Sequence, residues 1–594
     1  MYFEDDMDKR TIATPEELEA GFEDADGVLY SADGTKLLFC QNPDLAMYRV
    51  RVGTEIICDG AFYLQDAVGK NLCQLQRIEL PYSVQYIGNE AFLECVELKY
   101  LNIPFGIKEI GAGAFSGCVQ LEIDSHHPRY RHENKMLIDE AEKTLVTYFG
   151  SDSKVVVPND VQSIGDKAFM CATVLHEIVI PDSVTHIGNG AFYACYELRN
   201  VSLHNNLQFV GDEAFMFCFA MERIELPDSM NVIPDRLFMD CTALAEVVLP
   251  KSLEVVGKQA FQGCSSLKRI ELPPTVKVIE DDAFAFSKLS DEIILPPSLE
   301  KLGTHSFAKC NYLAKICFPE SLKEVGGGVF GSCFDLRDVM SYAPQFVFVD
   351  CRMLVNKATK TLISCFGEGP FDWMEHMFEE DVKPKKPFVI PDYIENIADY
   401  AFDGKPIDSL VIPEKVSSIG KYCFNDCTIK GTVTFPKSMT ELPEGTFSGC
   451  DMKEYTIDGP ITSIGGYAFK SCLELHSIHI QAPVTDIGEE AFSMCYELRN
   501  VELPSTVKNI GKGAFMRCSE LQNIVLPDSV EQLGPSAFAF CEKLQGIKLS
   551  PHIESINSDA FYGCENLEEI LVPQVSILKY KAMLPDYADI IKGF

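Results

Sequence analysis

Several features are scarce or absent in this sequence, and each gap removes a class of chemistry. Among 594 residues there is one tryptophan, Trp373. The 23 cysteines contain no C-x-x-C pair, so the common zinc and dithiol signatures are missing. No G-x-S-x-G, H-E-x-x-H or Walker-type run occurs, and no histidine stands in an evident relation to a serine or cysteine nucleophile. Neither an enzyme nor a bound cofactor is expected. Basic residues are few, 51 Lys and Arg against 88 Asp and Glu, which leaves a formal charge of −37 at pH 7. Such a surface repels phosphate backbones and anionic lipid, so neither nucleic acid nor a membrane fits as a partner. No apolar stretch approaches the roughly 18 residues of a membrane span, and MYFEDDMDKRTIATPEELEA lacks a basic segment followed by an apolar one. As it stands the chain is expected to be cytoplasmic, the alternative being a cell-surface or secreted location reached by a non-standard route.

What is plentiful is apolar material, 46% of the residues, and it is strictly periodic. The dipeptide Ala-Phe, or a close variant, returns mostly every 23 residues, with phenylalanines at 62, 92 and 115, then from 169 to 330, then from 402 to 561. These make arrays of three, eight and eight units, nineteen in all. The general pattern is A-F-x-x-C-x-x-L-x-x-I-x-L-P-x-S-V-x-x-I-G-x-x. In L-x-x-I-x-L the apolar residues alternate with polar ones, the mark of a short strand with one buried face. The proline cannot donate to a following ladder bond and so closes the strand. The I-G pair predicts a tight bend using a positive φ at glycine. A single coil of this kind cannot cover its own Phe, Leu and Ile, so neighbouring coils must stack with their strands in parallel.

This pattern resembles the BspA-like class of leucine-rich repeats over residues 56–575, with Leu267, Ile270, Leu272, Pro273, Val276 and Ile279 at that family's core positions. The resemblance implies a β-rich, right-handed leucine-rich-repeat solenoid with a parallel inner sheet. It also implies a role in adhesion or protein recognition at cell surfaces, although the export signal expected of that role is missing here.

Two interruptions divide the array. Residues 122–157, including NKMLIDEAEKTLV, read as an inserted β-hairpin of two short strands around a turn; GVLYSADGTKLLFCQNP near the start and CRMLVNKATKTLISCFGEGP in the second break resemble it. The expected segments are a cap and hairpin at 1–55, a first array at 56–121, the hairpin insertion at 122–157, a second array at 158–341, an insertion at 342–390, a third array at 391–575 and a C-terminal cap at 576–594. TPEELEAGF carries a T-x-x-E box suited to a helix start.

Fifteen of the cysteines fall three residues after the repeat phenylalanine. A one-residue-wide column supplies no convergent ligand set, so these are expected to be buried, reduced thiols whose S–H groups face backbone carbonyls. His126, His127 and His132, with Asp124 and Glu133 close by, match no standard zinc spacing, so no metal is expected there.

A protein partner is the leading expectation, met by the polar strand positions that point away from the core. These include Glu177, Asn200, Ser202, Arg223, Glu225, Glu246, Arg269 and Glu271 in the second array, and Ser477, His479, Asn500, Glu502, Asn523 and Lys548 in the third. The candidates chosen are Asn200, Arg223, Glu225, Arg269, Glu271, Asn500 and Glu502; the Arg-Glu pairs read equally well as solvated ladders. Phe371, Trp373 and Met377, spaced as stripes of a short helix in the second insertion, are either packed on the body or a docking segment. The alternative function is a cell-surface adhesin that binds a host matrix protein or a glycan. The glycan version is weakened because Tyr100 is the one aromatic found at the outward strand positions considered.

Overall fold

The computed structural model describes residues 10–65, 72–124, 127–367 and 388–594. They form two compact units, Met1–Leu289 with Pro296–Glu300 and Ser290–Leu295 with Lys301–Phe594. Each is a parallel β-solenoid, and the 23-residue period fixes its register: Glu177 pairs with Asn200, and Ile164 with Ile187, which pairs in turn with Val210.

A regular turn contributes to three ladders. The first is the I-x-L strand, such as Arg223–Glu225 beside Glu246–Val248. A proline turn follows, closed for example by Val184 N–H to Pro181 C=O at 3.0 Å. The second ladder is the two-residue strand before the glycine, such as His186–Ile187. The third runs through the Ala-Phe bend itself, where Phe192 N–H donates to Ala214 C=O at 2.8 Å in the next turn.

The repeat phenylalanines are buried and stack along the axis of each unit. Ring centroids lie 5.2 Å apart for Phe192 and Phe215 and 5.3 Å apart for Phe515 and Phe538, each pair within 3° of parallel. Beside them runs the cysteine column, with each S–H donating to the carbonyl of the phenylalanine one turn earlier. Cys118 reaches Phe92 at 3.1 Å, Cys195 reaches Phe169 at 3.1 Å and Cys450 reaches Phe424 at 2.9 Å. The column is structural, as its geometry predicts, and all 23 cysteines are free thiols.

The I-G bend departs from expectation. Gly88, Gly111 and Gly188 do not have positive φ; a Cβ on them would lie 2.6, 2.5 and 2.5 Å from a backbone nitrogen of the preceding turn. Glycine is required there by close packing between turns. The left-handed residue comes two positions later and is usually not glycine, as at Glu90 (φ 54°), Glu213 (φ 59°) and Gln259 (φ 56°).

The three hairpin-like modules have one strand more than the sequence suggests. Tyr130–Glu133, Met136–Asp139 and Thr144–Tyr148 form an antiparallel meander whose last strand pairs in parallel with Ser163–Ile164, so the module seeds the second ladder. Lys36–Cys40 joins Ile56–Ile57, and Thr361–Cys365 joins Asn396–Ile397, in the same way. All three carry a bulge at the same place, after Leu29, Leu137 and Leu354. Near the N-terminus Thr14 and Glu17 form a reciprocal capping box on the helix Pro15–Ala20. At the C-terminus Ile591–Gly593 adds a last parallel strand to Glu569–Val572.

Candidate functional site

The I-x-L strands present two outward columns. The first is a line of alternating charge: Lys154 lies 2.7 Å from Glu177, Arg223 lies 3.4 Å from Glu246, and Lys315 lies 3.4 Å from Glu292 and 3.7 Å from Asp338. These pairs are exposed, and each contributes at most about 1 kcal/mol. The second column is more apolar than the sequence reading of polar positions allowed. Val156, Val179 and Val248 occupy it in the first unit, and Ile294, Met340, Val411 and Val525 in the second, all exposed. Ile294 is 77% exposed, an unusual setting for isoleucine.

Asn200, Arg223, Glu225, Arg269, Glu271, Asn500 and Glu502 are all exposed on this face. Ser477, expected to point outward, is 7% exposed and counts as buried. Arg223 pairs across the ladder with Glu246. Phe371, Trp373 and Met377 lie outside the described residues.

The charged candidates share a feature that periodicity does not reveal. Within the units the I-x-L ladder is interrupted at several places, among them between Asn200–Val201 and Arg223–Glu225, after Glu246–Val248, between Val433–Thr434 and Glu454–Ile457, and between Asn500–Glu502 and Asn523–Val525. The second interruption is a groove of about 760 Å³ lined by residues 245–249, Lys251 and residues 269–274. Arg269 and Glu271 stand on its far wall, and Glu246 and Val248 on its near wall. Val247, Leu249, Ile270 and Leu272 are only half-buried there, whereas their counterparts Ile224 and Leu226 are 1% and 3% exposed. Behind the groove the two turns remain in contact, with Phe238 and Phe261 5.5 Å apart but tilted by 22°.

The pattern A-F-x-x-C-x-x-L-x-x-I-x-L-P, its parallel ladders and its stacked phenylalanines coincide with a match to the family model described as BspA type leucine rich repeat region, at residues 56–127, 148–248, 231–354, 395–495 and 462–583. The chain belongs to the BspA-type leucine-rich repeat family. Among solved structures it is similar to a leucine-rich repeat protein from Eubacterium ventriosum, at 21% identity over 58% of this chain and 83% of that one, with a TM-score of 0.42. It is also similar to a leucine-rich repeat protein from Bacteroides ovatus, at 21% identity over 96% and 97% of the two chains, with a TM-score of 0.27. A leucine rich cell surface protein from Faecalibacterium prausnitzii shares 19% identity over 78% of this chain and 98% of its own, with a TM-score of 0.32. No curated protein matches.

Two other features are placed by the structure, the first a glycine run where no G-x-G-x-x-G was expected. Gly326, Gly328 and Gly331 have G-x-G-x-x-G spacing, but this run is a repeat bend packed on its neighbours. A Cβ at Gly326 would lie 2.3 Å from Thr304 N, and one at Gly327 would lie 2.1 Å from Asp399 O. Of the histidine cluster, His126 lies outside the described residues; among the described residues no three His, Cys, Asp or Glu side chains converge as a metal site.

Sequence reasoning missed a second aromatic surface. Tyr196 and Phe219, each directly after a column cysteine, stack 5.1 Å apart at 11° and are 41% and 40% exposed. The signal was available as aromatic residues one turn apart at the same repeat position.

Proposed function

We propose that this chain is a non-enzymatic scaffold that recognises a protein partner through the outward face of its I-x-L strands. The observation that carries the reading is the exposed Val156, Val179 and Val248, which share one outward column with Ser202 and Glu225 beside a charged ladder. Apolar contact area flanked by charge suits protein recognition, the first supplying affinity and the second orientation. The non-enzymatic part is supported by the state of the thiols. Burial pushes Cys171 and Cys241 up to about 12, so they stay protonated and unreactive near neutral pH. The same protonated, unpaired thiols favour a reducing compartment.

The test is quantitative capture of partners from the native source, using wild type, Val179→Lys with Val248→Lys, and Val232→Lys. Val232 is 42% exposed but sits on the two-residue ladder, away from the proposed face. The double variant should lose a partner that wild type and Val232→Lys retain. Equal capture by all three would refute the assignment.

A second reading, adhesion to a glycan, rests on the Tyr196 and Phe219 platform, because sugar faces stack on exposed aromatic rings. Glycan-array binding that is lost in Tyr196→Ala would favour it over the first.

A further inference from the structure

The groove behind Val248 is bounded by a strand edge whose hydrogen bonds are not made. Orientation along Glu246–Val248 follows from its bonds to the preceding turn: Glu246 N–H donates to Glu222 C=O at 3.2 Å, and Leu226 N–H donates to Val248 C=O at 3.0 Å. Backbone groups alternate sides along a strand, so those of Val247 and Leu249 face the groove. In the turns before, the corresponding rungs are filled; Asn200 N–H, for example, donates to His176 C=O at 3.1 Å. Among the described residues no backbone hydrogen bond joins Val247 or Leu249 to residues 268–272. An edge of this kind is a template for another strand.

We infer that this groove accepts one extended segment of a protein partner as an added parallel strand, an inference that rests on the protein-recognition reading and gives its binding mode. The occupant follows from what lines the space. A strand residue occupies roughly 160 Å³, from about 3.3 Å of rise, 4.8 Å between strands and 10 Å between layers. A groove of about 760 Å³ therefore holds close to five residues, the length of the wall at 245–249. The wall offers peptide donors and acceptors at strand spacing, which an extended backbone matches and a helix, with its own bonds closed internally, does not.

Repeat register sets the side chains. Inward positions of the guest fall between Val247 and Ile270 and between Leu249 and Leu272, and take aliphatic residues. The outward position between them falls between Val248 and Glu271, and takes a lysine, whose stem covers the valine while its ammonium meets the carboxylate. A basic guest also suits a chain of net charge −37.

The experiment uses the full chain and a fluorescein-labelled decapeptide centred on Thr-Val-Lys-Leu, against the same peptide methylated on its lysine backbone nitrogen. Methylation leaves the side chains intact and removes a ladder donor. Saturable anisotropy for the first peptide, affinity at least tenfold lower for the second, and slower hydrogen exchange at Val247 and Leu249 on binding are expected. Failure of the first peptide to bind, equal binding of both, or unchanged exchange at these two amides would overturn strand addition. Partner capture that depends on Val179 and Val248 while the peptides fail would leave the recognition face standing and remove only this mode.

Discussion

Replacing Phe492 by alanine tests whether each solenoid is held by contacts between successive turns. Its ring is fully buried, with centroids 5.2 Å from Phe469 and 5.2 Å from Phe515 at interplanar angles of 9° and 7°. Truncating a buried phenylalanine costs about 3–5 kcal/mol, and within that loss each of the two stacks contributes about 0.5–1.5 kcal/mol beyond area burial. Repeats of this kind interact with their immediate neighbours. A double-mutant cycle pairing Phe492→Ala with Phe515→Ala should therefore show a coupling of about 0.5–1.5 kcal/mol. Pairing it with Phe538→Ala should show less than about 0.5 kcal/mol, because Phe538 stacks on Phe515 at 5.3 Å, one turn further on. Urea unfolding followed by circular dichroism gives the free energies, and an unchanged slope in denaturant shows that the same surface unfolds in each variant. Equal coupling at one and two turns would refute the nearest-neighbour account.

Thiol titration of the native protein should detect only a few of the 23 cysteines, Cys351 first because it is exposed, with nearly all appearing after denaturation without reductant; extensive disulfides would contradict the reduced column. The Cys195 and Cys241 thiols are held above their ordinary value by burial, so their stabilising effect is complete below the unfolded value of about 8.5 and is lost as pH rises above it, which unfolding midpoints between pH 7 and pH 10 should show. Lys405 occupies the cysteine position of its turn, fully buried with Nζ donating to Gly367 C=O at 3.2 Å, and burial pulls its ammonium below the usual lysine range. Its unfolded form binds a proton more readily than the folded one up to about pH 10.4, so stability relative to Lys405→Met should rise with pH toward that value; a pH-independent difference would exclude a depressed lysine. Ser471 has φ 59°, so Ser471→Gly should stabilise by about 0.5–1 kcal/mol and Ser471→Val should destabilise by about 1–2 kcal/mol in the same urea assay, and the reverse order would exclude left-handed strain there.

The repeat was legible because burial in a stacked coil recurs with the coil. Phe261, Cys264, Leu267 and Val276 are each wholly buried, and each is a column in the sequence. The outward face was legible as a set of positions but not as a surface. Val179 and Val248 stand in the same columns as Ser202 and Glu225, and only the register shows that they line up. The ladder openings had no sequence signal, since residues 268–272 keep the same L-P pattern as turns whose strands pair normally. The third strand of each hairpin module was hidden for another reason. Tyr130–Glu133, read alone, is a polar stretch, and it becomes a strand by pairing with Met136–Asp139, which is buried throughout.

Glycine misled for a physical reason that bears on how the family's repeat is built. Each turn bends through left-handed residues, and a sequence reader looks for glycine at such places. Here Lys167, Glu213, Arg236 and Gln259 occupy one such column, and Cys171, Ala194, Phe217 and Asp240 another, all with φ between 54° and 62°. The left-handed conformation costs an L-residue roughly 1–2 kcal/mol. What offsets it is also in the bend: Ala194 N–H donates to Met216 C=O at 2.9 Å, Phe217 to Met239 at 3.0 Å and Asp240 to Gln262 at 2.7 Å. The strained residue thus aims its N–H at the next turn and completes a rung. A solenoid that repeats this bond can place almost any side chain at the bend, glycine among them as at Gly190 and Gly263, whereas at Gly188 and Gly211 two backbones touch and glycine is required. Tolerance at the bend is what allows Tyr196 and Phe219 to stand next to it as a stacked, exposed pair without disturbing the core beneath.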